Sequence, residues 1–199
     1  MRSLSDYLRD AEKAHGHICA GQVLGVRMAM LGLQKLGIDD PQNKKEDRKR
    51  LVTFVEIDRC ATDAVSIVTG CRLGKRALKF RDFGKMAATF IDVQTGRAVR
   101  IAAKESSKSL AQRMHPELEG KNQQQMLAYR ELPDFDLFSE QWVRVPIHPR
   151  EMPGYKSQRI TCAVCGEGIN YDRNVRGADG QILCQSCAAS ESRYYQPLE

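Results

Sequence analysis

Four of the chain's seven cysteines stand as two matched pairs, "CAVC" at Cys162 and Cys165 and "CQSC" at Cys184 and Cys187, with eighteen residues between the pairs. No other stretch limits the fold so tightly. A Cys-x-x-Cys turn presents both sulfurs to one ion, and two such turns supply the four thiolates of a tetrahedral zinc site. Gly166 follows the first pair and suits a tight knuckle, while "ADGQIL" reads as a hairpin turn leading into the second. A segment of about forty residues buries little core, so the metal is expected to supply its folding energy. The competing reading, a pair of redox Cys-x-x-Cys motifs, is disfavoured by the matched spacing. A small treble-clef or ribbon-like finger is expected, structural because four protein ligands leave no open coordination position. Such fingers bind nucleic acid or protein, or cover a neighbouring surface.

The stretch "HPREMPGYKSQR", residues 148–159, carries two prolines and a glycine and reads as a linker. It divides the 199 residues into a core domain over 1–150 and a linker plus finger over 151–199. Apolar content of 42% and charged content of 28% are those of a globular domain. No apolar run approaches the ~18 residues of a membrane span. The N-terminus lacks a signal peptide's apolar stretch, so a cytoplasmic protein is expected, without a membrane partner. In a reducing compartment this cysteine usage points to metal or thiol chemistry rather than disulfides. The net charge of +6 raises nucleic acid as a partner. The densest basic run, "KKEDRKR" at 44–50, also holds two acids and reads as a solvated loop rather than a phosphate-binding patch. With one tryptophan and no aromatic-rich basic motif, nucleic acid is not the expected partner.

Residues 3–14 read as an amphipathic helix with Leu4, Tyr7, Leu8 and Ala11 on one face and Ser3 or Ser5 as its cap. It ends near Gly16. A second helix, Gly21 to Leu36, is apolar almost all round and stops at Gly37, so burial is expected. Gly21, Gly25, Ala29 and Gly32 line one side of it with small residues, which lets another backbone approach closely. "LVTFVEI" (51–57) reads as a buried strand, "CATDAVSIVTG" (60–70) as a short helix and 71–85 as a glycine-punctuated connection. Residues 86–103 read as a hairpin turning at "QTGR", 104–131 as polar helix interrupted at "MHPELEG", and "QWVRVPI" (141–147) as a last strand.

Cys19, Cys60 and Cys71 remain, each beside a helix boundary and a glycine or polar cluster. Their surroundings, "HGHICAGQVLGVRMA", "IDRCATDAVSIVTGCRLGKRAL" and "DFGKMAATF", resemble the E-subunit family of formylmethanofuran dehydrogenase. That family typically shows HGHxCPG before a helix, then C-x-x-D-A, TGCTxGK and a later GK-x-A-x-x-F. The similarity keeps order and spacing from about residue 10 to 105, and several members end in a four-cysteine finger. Two departures stand out: Ala20 replaces the family's proline, and Arg72 and Arg76 replace small or neutral residues beside the expected pocket. The resemblance implies an α+β core domain, dimeric, that binds metal through its histidine–cysteine region. It does not imply dehydrogenase activity, because the molybdenum or tungsten pterin chemistry of the complex is assigned to other subunits.

The residues support a metal site on their own terms. His17 and Cys19 lie two apart on a loop at a helix start and can point at one ion, a borderline-soft donor pair suited to zinc or another late transition metal. Cys60, at the start of its own helix, is the natural third ligand. His15 is either a fourth ligand or the partner that orients His17. Asp63, one turn beyond Cys60, can orient a ligand or move a proton. Cys71 and Lys75 share the glycine-rich connection, where a lysine would lower a thiol's pKa and favour an anionic ligand; a plain surface lysine is the equal alternative. A Cys60–Cys71 redox pair is the rival reading of the thiols, and it requires Gly70 to fold the chain back.

Two functions follow. One is a metal-binding accessory protein of a molybdenum or tungsten enzyme system, homodimeric, acting through a partner such as the oxidoreductase subunits or by carrying a metal or cofactor. The other is a stand-alone thiol- or zinc-dependent enzyme acting at His17, Cys19 and Cys60. A regulator that lays the finger on nucleic acid is a weaker third. The chain has no Rossmann glycine motif, P-loop or serine-nucleophile elbow.

Overall fold

The computed structural model describes residues 1–48, 50–189, 191, 193–196 and 198, and the chain divides into two units, Met1–Pro146 and Ile147–Glu199. The first unit opens with α1, Leu4–His15, capped by the Ser3 hydroxyl, which accepts a hydrogen bond from the Asp6 N–H at 3.2 Å. Tyr7, Leu8 and Ala11 are its buried face. Helix α2, Ala20–Leu36, ends at Gly37, whose φ of 67° is the left-handed turn that only glycine adopts without strain. Val23, Val26, Met28 and Leu33 sit at or near zero exposure on different sides of it. The chain's own elements cover α2 on nearly every side, so its apolarity does not by itself require a second copy.

After α3 (Lys45–Arg48) come β1 (Leu51–Val55), α4 (Cys60–Thr69), β2 (Leu78–Phe80), β3 (Ala87–Asp92) and β4 (Ala98–Ala103). The unit closes with α5 (Ser106–Met114), α6 (Lys121–Glu131), α7 (Asp134–Leu137) and β5 (Phe138–Val143). The five strands form one mixed sheet in the order β2-β1-β3-β4-β5. β1 and β2 run parallel through the α4 crossover, and every other neighbour is antiparallel. Register places Thr53 opposite Phe90 and Phe90 opposite Val99, on the face that packs against α2. This is a mixed helix-and-sheet fold, as the resemblance implied.

The small-residue stripe of α2 serves two neighbours. A Cβ at Gly25 would stand 2.5 Å from the Ala61 carbonyl oxygen, so that glycine lets α4 lie against α2 backbone to backbone. A Cβ at Gly32 would stand 2.3 Å from the Phe90 ring, so that glycine receives the sheet. The α2–α4 crossing sets the distance between the two helix N-termini that carry Cys19 and Cys60.

Three local readings need correction. The connection 71–85 contains a short 3-10 turn, Leu73–Lys75, and the strand β2, which owes its existence to parallel pairing with β1. The last strand starts at Phe138 rather than 141 and stops at Val143, because its register is fixed by β4 from Ala103↔Phe138 to Ala98↔Val143. The run 44–50 is not simply a solvated loop: α3 lies within it, and Asp47 is buried and paired with Arg50 at 3.2 Å. Arg50 also holds Asp92 at 2.7 Å; Lys49 lies outside the described residues. Among the described residues, no helix is long and apolar enough to cross a membrane.

The second unit is built from two-residue strands: β6 (Ile160–Thr161) pairs with β7 (Gly168–Ile169), and β8 (Val175–Arg176) with β9 (Ile182–Leu183), before α8 (Gln185–Ala188). The stretch 148–159 holds one 3-10 turn, Pro149–Glu151, and no strand. Among the described residues of this unit, Cys162 and Ile169 are the buried apolar ones. So small a core cannot offset the entropy of ordering the chain, which leaves the cysteines to hold it together.

Candidate metal centres

In the second unit, the turn after β6 carries Cys162 and Cys165, and the step from β9 into α8 carries Cys184 and Cys187. One ligand atom from each of the four lies within 4.8 Å of all the others, an arrangement that can hold a metal ion. The Cys165 and Cys184 sulfurs stand 3.9 Å apart. Backbone geometry prepares the site: the Cys184 N–H donates to the Cys162 sulfur at 3.3 Å. N–H groups of Cys165 and Cys184 pull the Cys162 thiol down to about 6, so one sulfur is readily a thiolate. The Cys187 thiol moves the other way, to about 12, because Cys184 and the other thiols crowd it. Four sulfurs packed this closely want a cation among them.

In the first unit, Cys19 is the N-cap residue of α2 and Cys60 the first residue of α4. The α2–α4 crossing sets their side chains close enough for the two thiols to influence each other electrostatically. Gly21 lies between them: a Cβ there would stand 3.5 Å from the Cys60 Cβ and 3.7 Å from the Cys19 sulfur, ordinary contact distances. Both cysteines and His17 line a cleft of about 470 Å³, together with Ile57, Arg59, Met86, Asn122 and Gln125. Burial first, and then the Cys19 thiol, push Cys60 up. A helix N-terminus therefore does not by itself make Cys60 a thiolate; a bound cation would have to.

His15 sits just behind. Its Nδ1 bonds the Asp63 carboxylate at 2.9 Å, and its ring centroid lies 4.9 Å from that of His17. A carboxylate accepts, so Nδ1 is the donor and a neutral His15 keeps its lone pair on Nε2. Asp63 thus orients His15 rather than a ligand on the cleft wall. The ligand atoms of His17, Cys19 and Cys60 do not all lie within 4.8 Å of one another; among the described residues only the finger cysteines do.

Cys71 and Lys75 are not brought to the cleft. Cys71 is 2% exposed beneath the sheet, where Thr53 Oγ1 donates to its sulfur at 3.5 Å. Burial pushes this thiol up, and Lys75, exposed on its 3-10 turn, opposes that only slightly. The expected lysine-lowered thiol is absent, and the thiol beside Cys60 is Cys19, not Cys71. Conversely, the residue pattern gave no hint of the amide side of the cleft. Asn122 Oδ1 accepts the Ala20 N–H at 3.2 Å, capping α2 from α6, and Gln125 follows one turn later. Nothing local in "GKNQQQM" signals this; only the tertiary fold does.

A protein family described as "FmdE, Molybdenum formylmethanofuran dehydrogenase operon" matches residues 14–139. An FmdE-like protein of the tungsten formylmethanofuran dehydrogenase type from Syntrophus aciditrophicus, solved by crystallography, is similar with a TM-score of 0.63 and 22% identity. The likeness spans 96% of this chain and 95% of that one, and it shows a shared fold. A probable S-adenosyl-L-methionine-binding protein from Archaeoglobus fulgidus is 36% identical over 98 residues, 49% of this chain. That stretch covers 26% of the relative's own length.

Proposed function

The chain belongs to the FmdE family, and from that premise we propose that it is a zinc-binding accessory protein of a molybdenum or tungsten enzyme system. It holds one structural zinc in its C-terminal finger and a second metal, also zinc, in the core cleft. The observation that carries this reading is the convergence of Cys19 and Cys60, from two helix N-termini, with His17 on one cleft. Two thiols and an imidazole are the donors a borderline metal prefers, and Cys19, Cys60 and His17 would hold it. Asp63 keeps His15 in one orientation behind them. In the finger, sulfurs about 2.3 Å from a tetrahedral zinc stand about 3.8 Å apart. The 3.9 Å between Cys165 and Cys184 matches that spacing. Four thiolates close the coordination of the finger, whose role is to fold the unit at 147–199 as a domain separate from the core at 1–146. The core cleft, with fewer ligands, leaves room for a small molecule or a partner's side chain, with Arg59 exposed at its rim.

The nearness of the two thiols also favours a second reading. In it, a stand-alone enzyme with no metal in the cleft reduces a disulfide substrate to two thiols while its own dithiol becomes a Cys19–Cys60 disulfide, which an external dithiol then reduces. Zinc stoichiometry by elemental analysis separates the two. Intact chain should hold two zinc ions, Cys184→Ser one, and the Cys19→Ala and Cys60→Ala variants one each, while Cys71→Ala keeps both. A chain that holds only the finger zinc, and whose Cys19 and Cys60 cross-link under mild oxidation, would replace the accessory reading with the redox one.

A further inference from the structure

The finger's sulfurs are not equally served. Cys162 accepts the Cys184 N–H, and Cys184 stands 3.2 Å from the Ser186 hydroxyl. Cys187 receives a side chain from beyond α8: Arg193 Nη2 donates to its sulfur at 3.3 Å. The same guanidinium donates through Nε to the Ser186 carbonyl at 2.7 Å, and lies 5.9 Å from the Tyr195 ring centroid. We infer that Arg193 is a positioning residue for the metal of the finger, a cationic latch that holds the Cys187 thiolate and slows release of the ion.

This rests on the zinc reading of the finger. Four thiolates around a dication carry two excess negative charges, and a guanidinium beside one sulfur offsets half of that excess. Its fork matters as much as its charge. One nitrogen anchors to the backbone of α8 while another reaches the sulfur, so the donor is fixed in place rather than swinging on a free stem. A lysine can offer the charge but not both contacts in that geometry. Partners of this kind, one step out from the metal, change affinity by about 10- to 100-fold when removed. In a unit whose described residues include only Cys162 and Ile169 as buried apolar ones, metal affinity and fold stability are one quantity.

The test uses the full chain carrying Cys19→Ala, so that only finger zinc is counted, and titrates zinc away with a chromogenic chelator. Arg193→Ala and Arg193→Gln should each weaken zinc binding about 10- to 100-fold, and Arg193→Lys should fall between them and the parent. Arg176→Ala, which removes an exposed cation of β8, should stay within about twofold and controls for net charge. An Arg193→Ala chain that gives up zinc within twofold of the parent, or an Arg176→Ala chain that loses it as fast, overturns the latch alone. A parent chain that takes up no zinc at all overturns the zinc reading and the latch together.

Discussion

Glycine-to-alanine substitution in α2 sets helix propensity against packing, and the two disagree in sign. In a helix interior alanine is favoured over glycine by about 1 kcal/mol, so propensity alone makes Gly25→Ala stabilising. Packing says otherwise. The added Cβ would stand 2.5 Å from the Ala61 oxygen, 2.7 Å from the Ala61 Cα and 2.9 Å from the Ala64 Cβ. Two of those three atoms belong to backbone, which cannot swing aside, and comfortable carbon contacts begin near ~3.5 Å. Helix α4 must therefore back away by roughly 1 Å, at an overpacking cost of about 1–3 kcal/mol. Because the obstacle is backbone the upper part of that range applies, leaving a net loss of about 1–2 kcal/mol after the propensity gain. For a unit of this size the melting midpoint should fall by about 2–8 °C, read by circular dichroism on the full chain. Gly21→Ala is the control on the same helix: its Cβ would meet Cys60 at 3.5 Å, ordinary contact, so its midpoint should hold or rise slightly. Because α4 carries Cys60, the Gly25 variant should also weaken whatever the Cys19–Cys60 pair binds, while the Gly21 variant should not. A Gly25→Ala protein that melts at or above the parent temperature refutes the packing argument.

Two further outcomes are expected. Burial alone would raise Asp92, but bonds from Arg50, Thr95 and the Gln94 N–H overcome it and hold the carboxyl below its usual range. Its contribution to stability is therefore present above the unfolded carboxylate value near ~4 and lost as pH falls through the lower folded value. Urea midpoints should be level from neutral pH down to about 5 and drop below about 4, and Asp92→Asn should lower the plateau and flatten the acid limb. Parallel curves for the two proteins would contradict this. The homodimer expected from the family resemblance would scatter light with the mass of two chains. A single-chain mass at micromolar concentration counts against it.

What could be read from the residues was what local chemistry decides. Ser3 caps α1 and Gly37 ends α2 because those side chains, or their absence, fix the backbone within a turn. "QTGR" turns the hairpin for the same reason, with Asp92 accepting from Thr95 and the Gln94 N–H. β2 escaped because three residues within a basic, glycine-punctuated run carry no alternation; they become a strand only when β1 arrives beside them. β5 was displaced because "QWVRVPI" alternates well, whereas the pairing with Ala98–Ala103 selects an earlier frame. The cleft divides along the same line. Cys19 and Cys60 could be singled out by their helix starts, yet that Cys60 meets Cys19 rather than Cys71 depends on how closely α4 approaches α2. Asn122 and Gln125 come from α6, far along the chain, and Asp47 lies buried within a run whose charges suggested solvent.

The α2–α4 crossing also bears on the order in which the molecule matures. Finger sulfurs come from one continuous stretch, so a still-unfolded chain needs only a short loop to close before it can chelate, and capture can precede and drive folding. The cleft gathers α2, α4 and α6, and before those helices dock its two thiols belong to unconnected parts of a coil. A metal in the cleft, as proposed, would enter only after the sheet and all three helices have docked, as a late step that a folded protein performs. With both proposed sites in use, a cell short of metal would accumulate chains with a closed finger and two unliganded thiols in the core.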